Sequence, residues 1–125
     1  MDGLLVAVVD DEPDVRRALR RLFVSVGIRV EEYGTGTSFL ASLDARAPDC
    51  VVLDLHMPEV SGYDVQAALA QRQLPPPVVV ITGHDTPTAR ARAISAGAAA
   101  YLCKPVDDEA LLGAVMRAAT ARDVH

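Results

Sequence analysis

The sequence contains no tryptophan, and its aromatics are two phenylalanines and three tyrosines. So sparse a set cannot build the stacking platform by which proteins grip single-stranded nucleic acid. Basic residues are outnumbered, twelve against seventeen acidic, for a formal charge of −5. A net acidic surface repels a phosphodiester backbone, so direct binding of nucleic acid is not expected. Two cysteines, Cys50 and Cys103, are too few for a disulfide framework. They read as packed thiols in a reducing, cytoplasmic setting. No apolar run reaches the roughly 18 residues a membrane span needs. The opening stretch MDGLLVAVVDDEP lacks a basic start, and acids cut its apolar run short. It does not read as a signal peptide.

What is there is a chain of 125 residues, half of them hydrophobic and 23% charged. That balance suits one globular domain over residues 1–125. Short apolar runs alternate with amphipathic segments. Leu4–Val9 reads as a strand buried on both faces. Asp10 to Pro13 then give a helix-start signal, and Val15, Ala18, Leu19, Leu22 and Val26 fall on one helical face before Gly27. The cycle repeats. Ile28–Tyr33, Cys50–Leu53, Val78–Ile81 and Ala99–Leu102 read as strands. Helices are expected around Phe39–Leu43, around Val65–Leu69, over Ala89–Ala96 and over Asp107–Ala119, the last with acids at its N-terminal end. Five strand–helix units in strict alternation imply a parallel sheet with helices on both faces.

Such sheets place their chemistry at the carboxyl ends of the strands. Asp10, Asp11 and Glu12 follow the first strand, Asp54 the third, Thr82 and Gly83 the fourth, and Lys104 and Pro105 the fifth. Clustered carboxylates resist joint ionisation unless a cation joins them. An oxygen-only ligand set suits Mg²⁺ better than zinc or copper. A carboxylate can also act as a nucleophile toward a phosphoryl group, given a metal and a fixed cation such as Lys104. The Thr82 hydroxyl can donate to a third oxygen. Each piece alone has a plainer reading: a helix cap, a turn, a solvated lysine. Four such pieces at four strand ends make the plainer readings four independent coincidences.

The segments VVDDEPDVRRAL, VVLDLHMPEVSGYDV, VVVITGH and AYLCKPV resemble, in order, the motifs of the receiver domain of two-component response regulators. The resemblance covers essentially the whole chain. It implies a flavodoxin-like, doubly wound fold, strand order 2-1-3-4-5, with five helices. It implies a phosphoacceptor rather than a metabolic enzyme, one that catalyses only its own phosphorylation and dephosphorylation. Asp54 would take the phosphoryl group from a sensor histidine kinase or a phosphotransfer protein. Asp11, Asp54 and the main-chain carbonyl of His56 would bind Mg²⁺, with Mn²⁺ as a substitute, and Asp10 would help through water. Lys104 would pair with the phosphoryl group or with Asp54. Thr82 and Tyr101 would form the switch pair, and the Lys104–Pro105 bond would be cis. His56 and His84, two positions after Asp54 and Thr82, would tune the lifetime of the aspartyl phosphate. For Tyr101 the plainer alternative is a strand aromatic with a wet hydroxyl.

The output face would be the fourth helix, fifth strand and fifth helix. On the last helix, Leu111, Ala114, Val115 and Ala118 form one apolar stripe. Leu112, Met116 and Ala119 form a second, which a phosphorylation-strengthened homodimer could cover, the alternative being a broadly buried helix. Arg16, Arg17, Arg20 and Arg21 give the first helix a basic side, read as a solvated face with a kinase-docking surface as the functional alternative. A flavin or nucleotide carrier would need a phosphate-cradling loop after the first strand, where DDEP stands instead. A small-molecule phosphatase would need its nucleophile there, with a second acid two positions on. A longer transcription regulator is the expected parent, and a stand-alone receiver acting through protein contacts or a phosphorelay is the alternative. Replacing Lys104 by Ala is expected to impair the response more than folding.

Overall fold

The structure, a computed structural model, describes residues 3–123; Met1, Asp2, Val124 and His125, the ends of the expected 1–125 domain, lie outside the described residues. Strands and helices alternate: β1 Leu5–Val9, α1 Pro13–Ser25, β2 Arg29–Tyr33, α2 Gly36–Ser42, β3 Cys50–Asp54, α3 Gly62–Leu69, β4 Val78–Thr82, α4 Pro87–Ser95, β5 Ala100–Cys103 and α5 Asp108–Asp123. The sheet is wholly parallel and ordered β2-β1-β3-β4-β5.

Every residue of β1, β3 and β4 is buried, which is why each is an apolar run, with Asp54 and Thr82 as the polar last residues of β3 and β4. Strand alternation splits these residues between two cores. Ala7, Val9, Val51, Leu53, Val78 and Val80 face Phe39, Val65, Leu69 and Ala93 of α2, α3 and α4. Val6, Val8, Cys50, Val52, Val79 and Ile81 face Leu19, Phe23, Leu111 and Val115 of α1 and α5. Pro13 starts α1 at a position whose N–H no helix uses. Gly27, at φ +83°, supplies the left-handed turn into β2 that a side chain would resist. Among the described residues no helix is long and apolar enough to cross a membrane.

Several expectations are corrected. The buried stripe of α1 centres on Leu19 and Phe23, while Ala18 is exposed. Phe23 sits one turn beyond Leu19 and carries the bulk that meets the sheet, so the helix is rotated away from the face counted through Ala18. On α5 the second stripe is not left over: Ala119 is buried, and Leu112 and Met116 pack half-buried against the α1–α5 core. The two stripes are adjacent, so one broad face enters the core. Asp107 precedes α5, where its carboxylate accepts from the Ala110 N–H at 2.9 Å. Cys50 is a packed thiol, pushed up to about 12 chiefly by burial. Cys103 is exposed, because it ends β5 beyond the covering helices.

Candidate functional site

Register brings the strand-end residues together. Val9 pairs with Leu53, which sets Asp10 level with Asp54. Asp54 pairs with Ile81, and Thr82 with Cys103. Thr82 and Lys104 therefore follow immediately on the same edge. Asp10, Asp11 and Asp54 cluster there with Lys104 and Glu12, and Thr82 ends the neighbouring strand on the same edge.

Asp10 is completely buried and Asp54 is 3% exposed. The Lys104 ammonium lies 2.8 Å from Asp10 Oδ2, 3.3 Å from Glu12 Oε2 and 3.7 Å from Asp54 Oδ1. Its first partner is thus Asp10, where sequence pointed to Asp54. Burial opposes the charge of Lys104, but Asp10, Asp54 and Glu12 outweigh it and raise its pKa. For Asp54, burial comes first and the Asp10 charge second; Lys104 and the His56 amide offset them only in part, and the carboxyl is pushed up to about 6. The His56 N–H approaches Asp54 Oδ1 at 3.4 Å. Both this contact and that of Lys104 fall on Oδ1. The Lys104–Pro105 bond is cis, as expected.

Asp10, Asp11 and Asp54 each present a carboxylate oxygen within 4.8 Å of the others. Asp10 Oδ2 is buried without a hydrogen bond, its contact with Lys104 being an ion pair that lacks hydrogen-bond geometry. Three converging hard oxygens, one under-satisfied, and an excess of negative charge fit an oxygen-seeking divalent cation.

Thr82 is completely buried, and its hydroxyl oxygen accepts from the His84 N–H at 3.0 Å. Tyr101 is 7% exposed, and its hydroxyl donates to Asp85 at 3.0 Å rather than resting in water. Burial first, then Asp85, push that phenol up to about 12. The Arg90 guanidinium sits 5.3 Å above the Tyr101 ring. His56 and His84 are exposed, with ring centroids 5.0 Å apart.

Sequence reasoning left the contacts of four residues unread, Glu12 among them although it stands just past the end of the first strand. Arg16 is not simply solvated: it donates to the Asp10 carbonyl at 2.7 Å and lies 3.7 Å from Glu32. Glu12 and Asp85 act through register and loop path, which no local pattern reveals. Gly62 is a place of close approach. A methyl group there would overlap the Asp54 carbonyl oxygen and come 2.6 Å from Leu55 Cα. Its N–H donates to the Leu55 carbonyl at 2.9 Å, and Ser61 and Asp64 cap α3 reciprocally beside it. The glycine lets α3 start against the backbone that carries Asp54.

Fold and pocket together define a parallel α/β protein with an acidic, cation-ready site at a topological switch point. Residues 6–116 match the family described as response regulator receiver domain, and the chain belongs to that family. It is 41% identical over 119 residues to nodulation protein W of Bradyrhizobium diazoefficiens, covering 95% of this chain and 52% of that protein. It is 40% identical over 114 residues to response regulator protein TmoT of Ectopseudomonas mendocina, covering 91% and 52% respectively. The chain spans about half the length of these curated relatives. The crystal structure of a response regulator receiver protein from Burkholderia phymatum superposes with a TM-score of 0.84 at 43% identity, covering 94% of this chain and 96% of that one.

Proposed function

We propose that this receiver domain accepts a phosphoryl group on Asp54 and passes the change to its α4–β5–α5 face. The observation that carries this reading is a nearly buried carboxylate held beside two further acids and a lysine. An Asp54 oxygen attacks phosphorus, and the donor's bond to the phosphoryl group breaks as the new O–P bond forms. The donor is a phosphohistidine of a sensor histidine kinase or phosphotransfer protein. Asp11 and Asp54 would hold Mg²⁺ together with the His56 carbonyl, and Asp10 would assist. When bound, the cation would neutralise charge on the transferred oxygens. The Lys104 ammonium supplies a second positive charge to the phosphoryl group. Thr82 leaves the His84 amide to donate to the new oxygens, and Tyr101 rearranges behind it. His56 and His84 at the mouth set how readily water reaches the acyl phosphate.

The relatives' length supports a longer parent in which residues 1–125 form one receiver beside an output module, acting in the cytoplasm, and names such as transcriptional regulatory protein FixJ support transcription control as that output. Exposed Arg17, Arg20 and Arg21 offer the docking surface for the kinase. Homodimerisation through α4–β5–α5 would use exposed Ile94 of α4 rather than the second stripe of α5.

Incubation with Mg²⁺ and a small acyl-phosphate donor, followed by mass spectrometry, tests the core of the reading. One added phosphoryl group is expected, and none in Asp54→Asn or with a chelator. Equal labelling of Asp54→Asn would overturn it.

A further inference from the structure

Four side chains run in unbroken contact from the mouth of the pocket to α4. His84 meets His56 edge to face at 5.0 Å between centroids, and His56 meets Tyr63 edge to face at 6.5 Å. Tyr63, on the first turn of α3, carries the Arg92 guanidinium of α4 over its ring, 3.8 Å from the centroid. These separations lie within the range of attractive ring–ring and cation–π contacts.

The pocket end of this ladder is tied to the two groups whose chemistry changes. The His56 N–H points at Asp54 Oδ1, and the His84 N–H donates to Thr82 Oγ1. Conversion of the Asp54 carboxylate to an acyl phosphate makes its remaining oxygen a weaker acceptor. Departure of the Thr82 hydroxyl releases the His84 amide. Both events act on the backbone that carries the two stacked imidazoles. At the far end, α4 is strapped to α3 a second time, because Gln66 Nε2 donates to the Ala93 carbonyl at 3.0 Å. Tyr63 is therefore the ring that joins His56 at the mouth to Arg92 of α4.

We propose that Tyr63 is a positioning residue. Through His56 and Arg92 it couples the state of Asp54 to α4, along α3, by a path that reaches α4 at Arg92 rather than through Tyr101 and Arg90. The proposal rests on phosphorylation of Asp54, and wild-type mass labelling checks that foundation on its own.

The test is hydrogen exchange over residues 87–95, with and without Mg²⁺ and an acyl-phosphate donor, at equal extents of labelling. In Tyr63→Leu the phosphorylation-dependent change in exchange is expected to fall about two- to five-fold, the size of one exposed cation–π contact. Tyr63→Phe keeps the ring and is expected to retain the wild-type change. Arg92→Gln, at an exposed position, is expected to reproduce the loss without touching the core. Labelling rate and thermal midpoint should stay near wild type in Arg92→Gln, which separates coupling from folding. A full wild-type response in both Tyr63→Leu and Arg92→Gln would overturn the proposal, as would equal loss in Tyr63→Phe. Absence of labelling in the wild type would instead remove the reading on which it rests.

Discussion

The interior strands and the pocket at their ends are equally buried and chemically opposed. Along the interior of β1, β3 and β4 the residues meet apolar neighbours. At the carboxyl ends, Asp10 is buried with the Lys104 ammonium 2.8 Å from Oδ2, and Asp54, the last residue of β3, is held well above the usual carboxylate range. The core is in its own free-energy minimum. The pocket is a set of groups that would separate if the strands did not hold them, and it is eased by a cation or by phosphoryl chemistry. Stability and reactivity thus occupy consecutive positions on the same strands.

The largest expected effect sharpens the core side of this contrast. Phe23 is completely buried among Val6, Val8, Ile28 and Leu111. Phe23→Ala should cost about 3–5 kcal/mol in urea unfolding. The surviving folded fraction should label at Asp54 at close to the wild-type rate, since Phe23 belongs to the core under α1 and α5 and not to the acid cluster. A large labelling defect in folded protein would mean that core and pocket are not separable.

Lys104→Ala tests the pocket side, where the sequence led to the expectation that the response would suffer more than folding. The Lys104 side chain is 16% exposed, and its ammonium is the cation beside completely buried Asp10. Its removal strands that carboxylate. A cost of about 2 kcal/mol is expected, below the ~3–5 kcal/mol of a fully buried pair because solvent and protons reach the rim. Millimolar Mg²⁺ should restore much of the loss by binding the acid cluster. No cost in the presence of a chelator would refute the view that the pocket depends on Lys104.

How far this was legible follows from what each feature depends on. The apolar runs announced the strands because burial on both faces leaves no polar position. The residues ending those runs had to share one edge, which placed Asp10, Asp54, Thr82 and Lys104 before any coordinates. The rotation of α1 was not legible, since Ala18 and Phe23 both fit a 3.6-residue period and side-chain bulk decides which one enters. Nor was the preference of Lys104 for Asp10 over Asp54, a difference of 0.9 Å (3.7 − 2.8) that runs against the sheet order, in which β5 lies nearer β3 than β1. Arg16 and Asp85 reach the site along side-chain and loop paths that leave no periodic trace.

Asp54→Asn turns the conflict into a measurement with a pH signature. The folded carboxyl titrates at about 6, the unfolded one near ~3.9. Between those values the native state binds more protons than the unfolded state, so this group makes stability fall as pH rises from about 4 to about 6 and leaves it lowered above. In chelator at pH 7, Asp54→Asn should be more stable than wild type by about 1–2 kcal/mol. The gap should shrink toward zero below about pH 4 and narrow at pH 7 when Mg²⁺ is added. Equal stability at pH 7 without metal would show that Asp54 is not held against its solvation.

The smallest effect concerns where backbone strain lies. Glu59 is the described residue other than glycine with positive φ, at 67°. The Val60 N–H donates to the Pro58 carbonyl at 2.8 Å, which closes a three-residue turn around Glu59. Turns of that hand are rare and strained for a residue with a Cβ. The turn lies between β3 and α3, so it belongs to the wall of the pocket and not to the core. Relief of left-handed strain is worth about 1–2 kcal/mol, and the freedom glycine adds to the unfolded chain takes back about 0.5–1 kcal/mol. Glu59→Gly should therefore gain about 0.5–1 kcal/mol in urea unfolding. The labelling rate of the same variant decides what the strain is for. A stabilised protein that labels more slowly would show that the strained turn holds Asp54 in its reactive setting, extending the pocket's conflict from side chains to backbone. Unchanged labelling would confine that conflict to the charged groups themselves.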